Sequence, residues 1–91
     1  MYFIIKKVPK LPDGNLYAWD TKHTKYLSKR GTWNSYKENA AVFSGNKGDA
    51  FAQAAKTRHM YTEPTEDVFI GPIEVRIDDN GNFFGTIGEI H

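Results

Sequence analysis

Cysteine is absent from this 91-residue chain, which excludes disulfide bonds and thiolate metal sites and leaves nothing that indicates an oxidising compartment. Long apolar runs are missing as well. The run near the start, Tyr2 to Ile5, stops at Lys6-Lys7 and is far shorter than a signal-peptide core or a membrane span. We therefore predict a protein of the reducing cytoplasm with no membrane partner, and we interpret the run as a β-strand.

Signatures of catalysis and of cofactor binding are missing too. The three histidines are far apart in sequence, and the glycine spacing fits neither a P-loop nor a dinucleotide fingerprint. The segment 78–81 resembles part of a calcium loop, but Arg76 and Ile87 stand where carboxylate ligands are required. A hairpin turn is the better interpretation of this segment. We expect no enzyme activity, no metal and no cofactor.

Aromatic residues and an uneven charge distribution are what the chain does have. Five Tyr, six Phe and two Trp can bury much of the surface of a small domain, and we predict a single domain over residues 1–91. Residues 1–60 carry eleven basic and four acidic residues, whereas residues 61–91 carry one basic and seven acidic residues. These two charges of +7 and −6 predict either separate charged faces or two halves that interleave and neutralise each other.

The pattern of apolar and turn residues predicts an α+β fold. Strands are predicted at Tyr2 to Val8, Leu16 to Asp20, Lys25 to Ser28, Val42 to Phe43, Val68 to Ile77 and Phe83 to Ile87. Gly31 and the segment 78–82 predict turns, and Gly71-Pro72 predicts a kink or bulge inside its strand. We expect a twisted antiparallel sheet of about five to six strands with one helix packed on one face.

The helix is predicted over about residues 47–59. Ser44 or Asn46 can cap its N-terminus, and Asp49 in the first turn complements the helix dipole. Its apolar residues, which predict a narrow face that lies close on the sheet, are Ala50, Phe51, Ala54 and Ala55.

Two surfaces are candidates for binding. The first is a basic hairpin that joins cations to Tyr26, Trp33 and Tyr36, a mixture suited to phosphates and stacked bases. Its cations are Lys22, Lys25, Lys29, Arg30 and Lys37. Tyr26 and Trp33 are better interpreted as core residues, which leaves ordinary solvated lysines around the turn. The second surface is acidic and could meet a basic patch on a protein partner. Its residues are Glu63, Glu66, Asp67, Asp78 and Asp79.

The order of features over residues 25–59 resembles a type of small accessory protein commonly encoded by bacteriophages. A "YLS" strand at Tyr26 to Ser28 precedes the turn at Gly31, then Trp33, the "A-x-x-F" step at Ala40 to Phe43, and the alanine-rich helix. The likeness is a packing pattern and carries no catalytic residue over. It implies a short protein made in a bacterial host cytoplasm during infection that binds and modulates a host macromolecule.

Three functions follow from these observations. The first is a non-enzymatic interaction module, such as a phage-encoded inhibitor or modulator of a host protein. The second is a nucleic-acid-binding protein that uses the basic aromatic hairpin 22–37. The third is a small enzyme or nucleotide-binding protein that uses the helix N-terminus at 44–48. An exposed sheet edge, formed by the first or last strand, is also compatible with a homodimer.

Overall fold

In the computed structural model, which describes residues 1–11 and 22–91, six antiparallel strands form one sheet with one α-helix on it. The strands are β1 (Tyr2–Pro9), β2 (Lys25–Leu27), β3 (Trp33–Asn34), β4 (Phe43–Ser44), β5 (Val68–Ile77) and β6 (Phe83–Glu89). The helix is α1 (Lys47–Tyr61), and a 3₁₀ turn covers Lys37–Asn39. These elements confirm the predicted α+β fold. The strand predicted at Leu16 to Asp20 lies outside the described residues.

Strand β1 is the centre of the sheet, whose order is β3-β2-β1-β5-β6. It pairs with β5 along its whole length, from Tyr2 with Val75 to Pro9 with Val68. Its other edge pairs first with β4 and then with β2. The first strand is therefore not an edge of the sheet. Among the described strands, the last one, β6, which was the other predicted edge, does lie at an edge.

The centre of the sheet is buried on both faces. On the helix side, Phe3, Ile5 and Leu27 pack with Ala50 and Ala54 of α1. On the opposite side, a second apolar cluster contains Ile4, Tyr26, Ala40 and Val75. Strict alternation along β1 divides the residues of this one strand between the two clusters.

Helix α1 begins at a capping box and runs two residues further than predicted. The Asn46 side chain accepts a hydrogen bond from the Asp49 backbone N–H at 2.8 Å, and the Asp49 carboxylate accepts one from the Asn46 N–H at 2.9 Å. Its buried face consists of Ala50, Ala54 and Thr57. The predicted face was wrong at Phe51 and Ala55, which are exposed, because the contact follows the i, i+4, i+7 stripe.

Strand β5 keeps its register with β1 through Gly71-Pro72, so a bulge there, one of the two predicted irregularities, was wrong. Both residues stay in register with β1, where Lys6 pairs with Gly71 and Ile5 with Pro72. Two bulges occur instead between β5 and β6, at the steps Glu74 to Val75 and Arg76 to Ile77. An edge strand has freedom on one side, so the irregularity arises there and not against the central strand.

Candidate interaction surfaces

The basic hairpin ends in a tight turn that its own side chains close. The Ser28 hydroxyl accepts hydrogen bonds from the backbone N–H groups of Arg30 and Thr32, at 3.3 and 3.2 Å. The Gly31 N–H donates to the Ser28 carbonyl at 3.1 Å, and Gly31 has a φ of +79°, which glycine adopts without steric cost. Lys29 and Arg30 lie exposed at this turn; we call these two residues the basic tip. The predicted turn at Gly31 is confirmed.

The C-terminal end of α1 holds the hairpin in place. The Trp33 indole Nε1–H donates to the carbonyl of Tyr61 at 2.8 Å, and so satisfies one of the acceptors that a helix end leaves open. The Tyr61 ring packs against Gly31 so closely that a Cβ there would come within 2.6 Å of Cε1. The position of the basic tip therefore depends on Tyr61, which lies two residues beyond the predicted end of the helix.

Beneath the hairpin, an ion pair between Lys7 and Glu66 adjoins the Trp33 ring. The Lys7 ammonium lies 4.8 Å from the ring centroid of Trp33 and 2.7 Å from Oε1 of Glu66. The hydrogen bond from Lys7 holds the pKa of the Glu66 carboxyl below its usual range. The cation stabilises the charged form of the carboxylate and contacts the face of the ring. Lys7 is therefore a structural residue.

The three aromatic residues of the hairpin have separate environments. Tyr26 is 8% exposed and belongs to the cluster on the face opposite the helix, where burial raises the pKa of its phenol. Trp33 packs, partly buried, against the helix-side cluster. Tyr36 is 64% exposed. The interpretation as a core residue is confirmed for Tyr26, whereas Trp33 packs on the edge of the core and is only partly buried. Tyr36 is the hairpin ring accessible for stacking.

The five predicted cations do not form one cluster. Lys29 and Arg30 share the basic tip, whereas Lys25 lies in β2 and donates to the Ser35 hydroxyl at 2.6 Å. Lys22 is exposed before β2, and Lys37 begins the 3₁₀ turn. Within residues 1–11 and 22–91, no carboxylate forms an ion pair with any of these five. A polar groove of about 400 Å³ borders the tip, between the turn and the 3₁₀ segment that contains Glu38.

The predicted acidic residues fall into two groups at opposite ends of β5. Glu63, Glu66 and Asp67 precede this ten-residue strand, and Asp78 and Asp79 follow it, which separates them by roughly 30 Å. Several carboxylates already have partners. Glu66 pairs with Lys7, Asp67 lies 3.4 Å from Lys10, and the Asp78 carboxylate accepts from two backbone N–H groups of its own turn. The acidic residues therefore do not form one continuous surface.

The two charged halves of the sequence interleave at the sheet. Each ion pair of the described residues joins a lysine of β1 or its flank to an acid of the C-terminal half: Lys6 to Glu89, Lys7 to Glu66 and Lys10 to Asp67. These pairs neutralise the centre of the sheet. Among residues 1–11 and 22–91, the cations without a carboxylate partner include those of the hairpin.

Lys6 is a buried residue, whereas the sequence predicted only that it ends an apolar run. It is 4% exposed, pairs with Glu89, and its Nζ lies 5.8 Å from the ring centroid of Phe69. Burial lowers the pKa of its ammonium to about 8. The sequence feature that could have predicted this burial is the alternation of β1, which places Lys6 on the same face as the fully buried Ile4 and Val8.

In the part of the chain that the structure describes, no group of three or more His, Cys, Asp or Glu side chains lies close enough together to hold a metal ion. The same residues contain no helix of the length and apolar character needed to cross a membrane. No protein family, curated protein sequence or solved structure matches this chain.

Proposed function

We propose that this protein is a non-enzymatic interaction module, of the kind that bacteriophages encode to inhibit or modulate a host protein in the bacterial cytoplasm. The contact is made by the basic tip, Lys29 and Arg30, and the partner offers an acidic surface. The observation that carries this proposal is the distribution of ion pairs among the described residues, which neutralises the lysines of β1 and leaves both tip cations without a carboxylate.

The geometry of the hairpin supports a contact at the tip. The Ser28 hydrogen bonds close the turn, and Trp33 ties the hairpin to the end of α1 through the Tyr61 carbonyl. Two cations on a rigid turn lose less conformational freedom on binding than cations on a mobile loop. Unpaired surface charge also accelerates encounter with a partner of opposite sign.

Affinity capture from nuclease-treated bacterial lysate tests this proposal. The native protein is expected to recover a defined protein, and the double variant Lys29→Glu/Arg30→Glu is expected to lose it. The matched control is Lys47→Glu/Arg76→Glu, which changes the net charge equally at two exposed cations outside the hairpin and should retain the partner. Equal recovery by both double variants would show that the tip does not make the contact.

Nucleic-acid binding is the second candidate, because the same unpaired cations accompany the 64% exposed ring of Tyr36. It predicts binding to labelled single-stranded DNA or RNA that weakens steeply as salt rises. Tyr36→Ala should then reduce affinity by about tenfold with little change in the salt dependence, since stacking contributes roughly 1–3 kcal/mol per base. Absence of binding at low salt would exclude this candidate.

A further inference from the structure

Strand β6 is an edge of the sheet in the described part of the chain, and no charged side chain within residues 82–88 hinders its pairing with another strand. It is seven residues long, whereas the strand at the other edge, β3, has two. Residues 82–88 contain no charged side chain and no proline, two of the features that protect an edge strand from pairing with another chain. The one charged residue of the strand, Glu89, already pairs with Lys6.

Two large apolar side chains of β6 are exposed. Phe84 is 63% exposed and Ile87 is 54% exposed. Both are the extra residues of the two bulges, because β5 pairs with Phe83, Gly85, Thr86 and Gly88 and skips the residues between them. The bulges therefore take these two side chains out of the pairing with β5.

The order of large and small residues along β6 suits a second copy of the same strand. In an antiparallel pair with its two-fold axis at Thr86, Phe84 lies opposite Gly88 of the second copy, and Ile87 lies opposite its Gly85. Each large apolar side chain then covers a glycine, an arrangement that stabilises edge strands. Thr86 meets its own counterpart, and a Thr–Thr pair is a favourable cross-strand contact.

Charge also favours a second copy. Antiparallel self-pairing brings charges near the two-fold axis close to their own copies, and like charges placed opposite each other on paired strands are destabilising. Residues 82–88 carry no charge to repel. The two Glu89 side chains lie at opposite ends of the seven-residue pairing, each beside the Lys6 of its own chain.

We infer that β6 pairs with β6 of a second copy, antiparallel about Thr86, to form a homodimer with a continuous sheet across the interface. This inference does not rest on the proposed function, because the basic tip lies outside β6, in the turn between β2 and β3. The dimer would carry two basic tips, which a multivalent partner could engage together. A single pair of strands buries less than the roughly 1,600 Å² typical of stable complexes, so the dimer should form in a concentration-dependent equilibrium.

A single introduced cysteine tests the register. The chain has no native cysteine, and directly opposite residues of antiparallel strands have Cα atoms about 4.5–5.5 Å apart, within the range of a disulfide. With diamide as the oxidant that takes up two electrons and two protons from two thiols, Thr86→Cys should give a covalent dimer. Thr65→Cys, in an exposed loop, is the matched control and should cross-link at least tenfold more slowly.

Sedimentation of the native protein over a range of concentrations tests the interface itself. The native chain should shift from monomer to dimer, and Phe84→Lys/Ile87→Lys should stay monomeric. The control Phe51→Lys/Met60→Lys, at two exposed apolar residues of α1, should dimerise as the native chain does. Circular dichroism checks that each variant is folded.

Two results would overturn the inference. Bulges also turn an edge away from other chains, and if they do so here the native protein stays a monomer at every concentration. If Thr86→Cys and Thr65→Cys cross-link at the same rate, antiparallel pairing about Thr86 is excluded. The variant Lys29→Glu/Arg30→Glu should dimerise normally, so loss of the partner through the tip and loss of the dimer are measured separately.

Discussion

The contact between Gly31 and the Tyr61 ring holds the basic tip against the helix, and the chain contains a matched control for it. Gly31 and Gly81 have nearly the same positive φ, +79° and +83°, a region that strains any residue with a Cβ. A Cβ at Gly31 would meet Cε1 of Tyr61 at 2.6 Å, whereas a Cβ at Gly81 would meet nothing within 4 Å. The two Gly→Ala substitutions therefore share a backbone penalty and differ in the ring contact.

The magnitudes follow from these two effects. An alanine held at positive φ costs roughly 1–2 kcal/mol, reduced by the lower entropy of its unfolded chain, so we expect about 1 kcal/mol for Gly81→Ala. Displacement of a packed ring adds roughly 1–2 kcal/mol at Gly31, toward the lower end of overpacking costs because Tyr61 is 37% exposed and can move outward. We expect about 2–3 kcal/mol in total for Gly31→Ala, or a fall in melting temperature of roughly 10–20 °C.

Urea unfolding followed by circular dichroism measures these differences, with Tyr61→Ala as the second member of a double-mutant cycle. In the Tyr61→Ala background the ring is gone, so Gly31→Ala should cost about the same as Gly81→Ala, near 1 kcal/mol. Equal costs of the two Gly→Ala substitutions in the native background, or strict additivity with Tyr61→Ala, would refute the close packing of the tip on the helix.

Three further predictions concern the residues that support the two surfaces. Asn46→Ala removes one half of the capping box and should lower the free energy of unfolding by about 1 kcal/mol in urea titrations, whereas Ser44→Ala should have little effect. Because burial lowers the folded-state pKa of Lys6 to about 8, the unfolded chain binds more protons above that pH. The native protein should therefore gain about 2 kcal/mol between pH 7 and 9.5 relative to Lys6→Met, and parallel pH curves for the two proteins would contradict this. The pKa of Glu66 is lowered in the folded state, so its ionised carboxylate stabilises the fold at pH values above the ordinary carboxyl pKa. This stabilisation should be lost as the pH falls through the folded-state pKa. In unfolding measurements, Lys7→Met should abolish that part of the acid dependence.

The sequence predictions were most accurate where neighbouring residues alone decide the local structure. Three features depend on hydrogen bonds within a few residues, so local residue types predict them. They are the cap at Asn46, which was one of two predicted caps, the turn at Gly31 and the hairpin turn at 78–82. The alternation in β1 and β5 likewise predicted two strands. The predictions failed at Gly71-Pro72 and at Phe51 for one reason: the neighbour that decides each position is distant in sequence.

The predicted binding residues illustrate the same limit. The sequence lists five cations and five acids, but whether a charge is available depends on what faces it across the sheet. Lys7 and Glu66 are 59 positions apart and form an ion pair, whereas Lys29 and Arg30 have no carboxylate partner among the described residues. No local pattern distinguishes these lysines from one another.

Residue order alone decided that this chain contains strands, closed turns and one capped helix, because periodicity, glycine at positive φ and side-chain caps act over a few residues. Tertiary structure decided which of those features meet. It made β1 central and β6 an edge, buried Tyr26 and Lys6, and brought the hairpin to the end of α1. Pairing between distant segments sets burial, and burial determines which charges and apolar side chains remain for a partner.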